Sequence, residues 1–161
     1  MNILLTGSNG FIGKNIHKKL HDENVFCLEK GFMDEKDWLV DLEKYVDDSD
    51  AILHVGAISD TMLKDPNEML KYNYVFSKHL FDLAEKHNKK VIYSSSAANK
   101  GQTGNPSNIY GWSKFITEQY GLAKVKNFYA LRYFNVYGPG EEHKGKMASV
   151  AYQAWEIGSF N

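Results

Sequence analysis

An apolar run over residues 1–6 breaks into Gly7-Ser8-Asn9-Gly10-Phe11-Ile12-Gly13, after which apolar side chains recur at helical spacing at Phe11, Ile12, Ile16 and Leu20. Strand, glycine turn and helix in that order open a doubly wound α/β sheet. Small residues in such a turn let the main chain approach a pyrophosphate, and the start of the following helix offers N–H donors and partial positive charge. A dinucleotide is therefore expected to touch Gly7, Asn9, Gly10, Phe11 and Ile12.

The rest of the chain keeps the alternation. Residues 25–28, 51–55, 91–94 and 128–132 read as strands, and residues 34–46 and 109–123 as helices. The longest periodic segment, 68–87, carries Met69, Tyr72, Phe76, Leu80 and Leu83 and follows the start signals Pro66 and Asn67. Strands alternating with helices predict a Rossmann-type parallel sheet covered on both faces, with ligands beyond the carboxyl ends of the strands. At 161 residues the chain makes one domain, expected to be NAD(P)-binding over 1–161.

Nineteen Lys plus Arg stand against twenty Asp plus Glu, so no bulk positive field favours nucleic acid or an anionic membrane surface. No apolar run approaches the ~20 residues of a membrane span, and the short run at the N-terminus is too brief for a signal peptide. Cys27 is the only cysteine, which excludes an internal disulfide and fits a reducing cytoplasm. The six histidines lack clustered partners at ligand spacing, and no metal site is expected.

Chemistry concentrates at the strand ends. Glu29 closes the second strand, where a carboxylate accepts ribose hydroxyls and repels a 2′-phosphate. Lys30 beside it can instead neutralise such a phosphate, so the cofactor reads as NAD or NADP. Tyr110-Gly111-Trp112-Ser113-Lys114 opens a helix, and i,i+4 spacing puts phenol and ammonium on one face. A phenol near pKa 10 needs neighbouring positive charge to serve as a base, which Lys114 and a cationic nicotinamide would supply. Ser94-Ser95-Ser96 follows the strand at 91–93 and offers a hydroxyl to align a substrate oxygen.

The glycine turn, Ser96, Tyr110, Lys114 and Arg132-Tyr133-Phe134-Asn135-Val136-Tyr137-Gly138-Pro139 together resemble the extended short-chain dehydrogenase/reductases that act on nucleotide sugars. Tyr137-Gly138-Pro139-Gly140-Glu141-Glu142-His143-Lys144-Gly145-Lys146-Met147-Ala148-Ser149-Val150 looks particularly like the ADP-glycero-manno-heptose 6-epimerase branch. With His54-Val55-Gly56-Ala57 and Tyr72-Asn73-Tyr74, the likeness covers essentially the whole chain. It implies a nucleotide-sugar epimerase of lipopolysaccharide biosynthesis, with Ser96 and Tyr110 at the reacting oxygen and Lys114 on the nicotinamide ribose. Lys144 is implied as a second acid/base on the opposite face of the sugar. Asn135 joins Ser96 and Lys144 at the substrate, Gly56, Ala57 and Tyr133 line the cofactor, and Asn73 supports the sheet. A homodimer or higher homo-oligomer, paired through the helices starting near 68 and 110, is expected on the same ground.

This sequence departs from the family pattern in several places, among them Asn99-Lys100-Gly101 where that pattern has a Tyr-Gly pair and a shortened loop from there to Tyr110. The span from Glu29 to Ala51 is short, so the third strand and helix are expected to be trimmed. Residues 139–161 read as leading into a substrate lobe that the sequence does not contain. Two other readings stay open: a nucleotide-sugar dehydratase or reductase, and a truncated cofactor-binding module without turnover.

Overall fold

The computed structural model describes residues 1–157 apart from 62, 64, 102, 103, 139, 143, 144, 146 and 147. Five parallel strands form one sheet in the order β2-β1-β3-β4-β5: β1 Asn2–Thr6, β2 Asn24–Leu28, β3 Ala51–His54, β4 Lys90–Ser96 and β5 Phe128–Tyr133. The chain runs outward from β1 to β2 and then returns to pair β3 on the other side of β1. That reversal opens a crevice at the carboxyl ends of β1 and β3. Ile3, Leu4 and Leu5 are buried because β1 is flanked by β2 and β3 and helices cover the sheet, as the apolar run predicts.

Between β2 and β3 lie only a 3₁₀ turn, Lys30–Asp34, and helix α2, Trp38–Asp47. No strand intervenes, which matches the trimmed reading, although the helix starts later than residue 34. Phe32 and Met33 on the turn pack with Leu42 and Val46 of α2 against the core around Leu4, Leu28 and Ile52. This burial leaves β2 as the sheet edge.

Helix α1, Phe11–Lys19, follows the glycine turn. The long periodic segment is one helical path with an interruption. α3, Pro66–Leu70, passes through a π-helical turn at Lys71–Val75 into α4, Phe76–Lys86. Asp65 caps α3 through the Asn67 N–H, as Pro66 and Asn67 signalled. The interruption falls at Asn73, in the middle of the π turn. Its carbonyl accepts from Ser77 Oγ at 2.7 Å and lies 2.9 Å from Thr117 Oγ1. Such π turns recur at functional sites.

Helix α5, Ile109–Lys124, packs beside α4 and against β4. Asn108 caps it, its Oδ1 accepting the Gly111 N–H at 2.7 Å, which contributes about 1 kcal/mol. Gly111 is forced: a Cβ there would come within 2.5 Å of the Ala98 carbonyl. This close approach sets the start of α5 beside the end of β4, and so Tyr110 beside Ser96. α6, Val150–Ile157, follows the loop after β5.

Candidate functional site

A cleft of about 920 Å³ opens at the strand carboxyl ends, walled by the glycine turn, the ends of all five strands and the start of α5. Gly7, Gly10, Phe11, Ile12, Glu29, Gly56, Ala57, Ser96, Tyr110, Lys114, Tyr133 and Asn135 all line it. Residues named from one end of the sequence to the other thus meet in a single cavity. Asn9 stands apart from that wall, exposed, with its N–H turned to Glu29 Oε1 at 3.0 Å. Lys144 lies outside the described residues.

The glycines have different physical reasons. Gly7 has φ +73°, and a Cβ on it would fall 2.5 Å from Gly56 Cα. Gly13 would drive its Cβ to 1.9 Å from the Gly7 carbonyl. Both are required by the protein's own packing. Gly10 is not: its backbone is extended, and the nearest heavy atom to a Cβ is Gly7 O at 3.4 Å, an ordinary contact. A side chain there would project into the space of the cleft. α1 also begins at Gly10 without a side-chain cap, so its dipole end faces that space. Room for a close-approaching anionic group at a helix start is the fit a dinucleotide requires.

Glu29 is partly committed. Its Oε1 accepts Ser8 Oγ at 2.5 Å as well as the Asn9 N–H. Of the carboxylate expected to accept ribose hydroxyls, Oε1 thus already holds two donors of the protein itself. Lys30 is paired with Glu68 at 2.8 Å, and its Nζ lies 4.9 Å from the Tyr72 ring centroid. Both partners are largely exposed, and such a pair is worth under about 1 kcal/mol.

At the other end of the cleft, Lys114 is only 2% exposed, with Nζ 4.4 Å from the Tyr93 ring centroid. Burial pulls its ammonium down to about 7, while the Glu118 charge one turn along acts in the opposite sense. Burial also raises the Tyr110 phenol above its usual value, with Ser96 opposing. In the chain alone desolvation thus outweighs the help that Lys114 was expected to give the phenolate. The physical reason is that the ammonium sits against an aromatic face in a dry site and is itself hard to charge.

Glu118 is buried beneath this pair and accepts from Ser95 Oγ at 2.5 Å, Asn99 Nδ2 at 2.7 Å and Arg132, both through Nε at 3.1 Å and through Nη2. Burial pushes its carboxyl up, but Arg132 and these donors hold it below the usual value. The forked Arg132 contact ties α5 to β5, and Ser95 ties it to β4. Sequence reasoning missed Glu118. Its i+4 spacing from Lys114 was the available signal.

Asn73 was expected to support the sheet. Its side chain instead clasps the loop after β3, accepting the Ile58 N–H at 2.7 Å and donating to Ile58 O at 2.9 Å. Among the described residues no group of three metal-ligating side chains comes together, and no helix is long and apolar enough to cross a membrane.

Over residues 3–156 the chain matches the NAD dependent epimerase/dehydratase family. It is 34% identical to an ADP-L-glycero-D-manno-heptose-6-epimerase of Cupriavidus pinatubonensis, an alignment covering 97% of this chain and 57% of the relative. The solved ADP-L-glycero-D-manno-heptose-6-epimerase of Helicobacter pylori superposes with a TM-score of 0.83 at 30% identity, over 98% of this chain and 64% of that one. A UDP-glucuronic acid 4-epimerase of Bacillus cereus, solved in complex with NAD, shares the fold at a TM-score of 0.73 and 23% identity, over 86% of this chain and 58% of that one. The chain therefore spans about three-fifths of the length of the relatives it matches. With the strand order, the glycine turn and the Tyr110/Lys114 helix in one cleft, the match places this chain in the NAD dependent epimerase/dehydratase family.

Proposed function

We propose that the chain is the NAD(P)-binding domain, over residues 1–161, of a nucleotide-sugar epimerase of the ADP-heptose 6-epimerase kind. The observation that carries this reading is the single cleft that unites the glycine turn and Glu29 with Ser96, Tyr110 and Lys114. Gly7, Gly10, Phe11 and Ile12 hold a pyrophosphate against the start of α1, Asn9 supports that turn through Glu29, and Glu29 Oε2 takes an adenosine ribose hydroxyl. Gly56, Ala57 and Tyr133 form the remaining wall, and Lys114 holds the nicotinamide ribose. NAD and NADP both remain candidates, since Lys30 is within reach of a 2′-phosphate once it leaves Glu68.

A bound nicotinamide supplies a site that takes a hydride from a sugar carbon and returns it, which leaves the net reaction redox-neutral. The chain's residues manage the proton. Ser96 orients the sugar hydroxyl, and Tyr110 accepts its proton as the carbon is oxidised and gives it back as the carbon is reduced. Lys144 serves as the second acid/base on the opposite face, and Asn135 orients the sugar. Because burial holds the phenol protonated in the chain alone, Tyr110 becomes a base only when positive charge fills the cleft beside it.

A cytoplasmic setting fits a chain with one cysteine, and a homodimer fits the exposed Val75, Trp112 and Leu122 on the paired helical layer. The test of the central reading is calorimetry on the folded chain with NAD, NADH, NADP and NADPH. Binding of at least one at micromolar strength is expected, and no binding of any of them overturns it.

A further inference from the structure

His54 takes no part in the chemistry above, yet it is 1% exposed and makes two short hydrogen bonds. Its Nδ1 lies 2.7 Å from Thr6 Oγ1 and its Nε2 lies 2.7 Å from Ser77 Oγ. Thr6 Oγ1 in turn accepts the Gly56 N–H at 3.0 Å, and Ser77 Oγ donates to the Asn73 carbonyl at 2.7 Å. The two ends of this chain are main-chain groups of fixed polarity. An N–H only donates, and a carbonyl only accepts.

The Asn73 carbonyl end sets the direction of the bonds, because it takes the one proton that Ser77 Oγ can give. Ser77 Oγ, giving its proton to Asn73, must accept from Nε2–H. On a neutral ring protonated at Nε2, Nδ1 is bare and accepts the Thr6 hydroxyl proton, while Thr6 Oγ1 keeps a lone pair for the Gly56 N–H. The Ser77 end thus sets the imidazole, neutral with its proton on Nε2, and the Thr6 end is compatible with it. The surroundings agree. The rings of Phe76, Phe81 and Tyr93 enclose His54 at 5.8, 5.7 and 5.4 Å, and among the described residues no carboxylate pairs with it. The Lys114 ammonium, which lies over the Tyr93 ring, opposes a second positive charge on His54.

The chain does not stop at the π turn. Asn73 Nδ2 donates to Ser113 Oγ at 3.0 Å, and Ser113 Oγ donates to the Tyr110 carbonyl at 2.7 Å. All the side chains along this path are 2% exposed or less. Gly56 lies at the floor of the cleft, against Gly7, and Tyr110 lies at its other wall.

We propose that Thr6, His54, Ser77, Asn73 and Ser113 form one directed hydrogen-bond relay that fixes the Gly56 amide and the Tyr110 backbone relative to each other, with His54 held as the neutral Nε2–H tautomer. These are positioning residues: none is assigned contact with the reacting atoms. The proposal rests on the cleft being the cofactor site only for its functional consequence, namely that the floor under the cofactor and the acid/base residue keep one spacing. The π turn has its reason here as well, because it turns both the carbonyl and the side chain of Asn73 into the relay.

The test uses the whole chain without nucleotide first. Nitrogen-15 spectra of the His54 ring are expected to show a protonated Nε2 and a bare Nδ1 at neutral pH. A proton on Nδ1 overturns the proposal without any variant. Thr6→Val keeps the shape of the side chain but cannot pass the bond on. It should raise the hydrogen-exchange rate of the Gly56 amide roughly tenfold and weaken the Nε2–H preference, and Thr6→Ser should restore both. Ser77→Ala breaks the relay at its other side and should perturb the same two readouts, which serves if Thr6→Val does not fold. Unchanged Gly56 exchange and an unchanged tautomer in folded Thr6→Val or Ser77→Ala overturn the relay. Cofactor dissociation constants are measured last, with a roughly three- to tenfold weakening expected in Thr6→Val and rescue in Thr6→Ser. Equal affinity in all three overturns the functional half. If the wild-type chain binds no cofactor, the reading of the cleft has failed, while the tautomer and exchange results still decide the relay.

Discussion

Replacing Lys114 by Met tests the physical account of the cleft most directly, because the expected change is a gain of stability at the cost of binding. The side chain is 2% exposed and lies on the Tyr93 face, and burial brings its ammonium from 10.5 down to about 7. The unfolded chain takes up this proton below pH 10.5, the folded chain only below about 7. Folding therefore loses stability as pH falls through that window, and the loss is complete below its lower edge. At about 1.4 kcal/mol per pH unit the full penalty is about 5 kcal/mol. Met fills a similar volume and carries no charge, but it forgoes the contact with the Tyr93 ring, worth about 1–2 kcal/mol in a dry site. A net stabilisation of about 2–4 kcal/mol is expected at pH 7, which for a chain of this size raises Tm by about 5–12 °C. The assay is denaturant unfolding of both proteins without nucleotide at pH 7 and at about pH 9.5, where most of the gain should have vanished. Cofactor affinity should fall in the same variant. A Lys114→Met chain that is no more stable at pH 7, or that is equally stabilised at both pH values, refutes the argument from burial.

Gly10→Val should leave stability within about 1 kcal/mol of wild type, since nothing in the protein crowds a Cβ there, while abolishing cofactor binding by calorimetry. Gly121→Ala should do the reverse: its Cβ would meet the Phe128 ring at 2.2 Å, so a loss of roughly 1–3 kcal/mol in unfolding is expected with little change in affinity for the protein that remains folded. Ultraviolet difference titration should place the Tyr110 phenol above its usual value without nucleotide, and NAD but not NADH should bring it down, with Tyr110→Phe as the blank. His54 is held neutral by burial down to about 3, against 6.5 unfolded, so stability is retained above pH 6.5 and falls as pH drops towards 3; His54→Gln should show a flatter acid limb in that window. On the proposed epimerase reading, in a protein of the length of its relatives, Lys144→Met and Tyr110→Phe should each slow epimerisation by ~10²–10⁴-fold with cofactor affinity barely changed, and full activity in Lys144→Met would remove that residue from the proposed chemistry.

The order of strands and helices, the glycine turn and the Tyr110/Lys114 face were legible in the sequence because each is a local pattern. Alternation, helical spacing and glycine placement set dihedral angles and faces over a few residues. The short span from Glu29 to Ala51 likewise announced a trimmed edge, since too few residues remain there for another strand and helix. What the tertiary structure alone decided depends on groups far apart in the chain. Asn73 reads as one more position in a helical stripe until Ile58, Ser113 and Thr117 are folded around it and the helix opens into a π turn. Glu29 reads as a free carboxylate until Ser8 claims one oxygen, and Lys30 as a free cation until Glu68 arrives from another element. His54 and Lys114 carry ordinary proton affinities in sequence. Their shifts come from desolvation, which sums over every neighbour packed around a group, and those neighbours are assembled only by the fold.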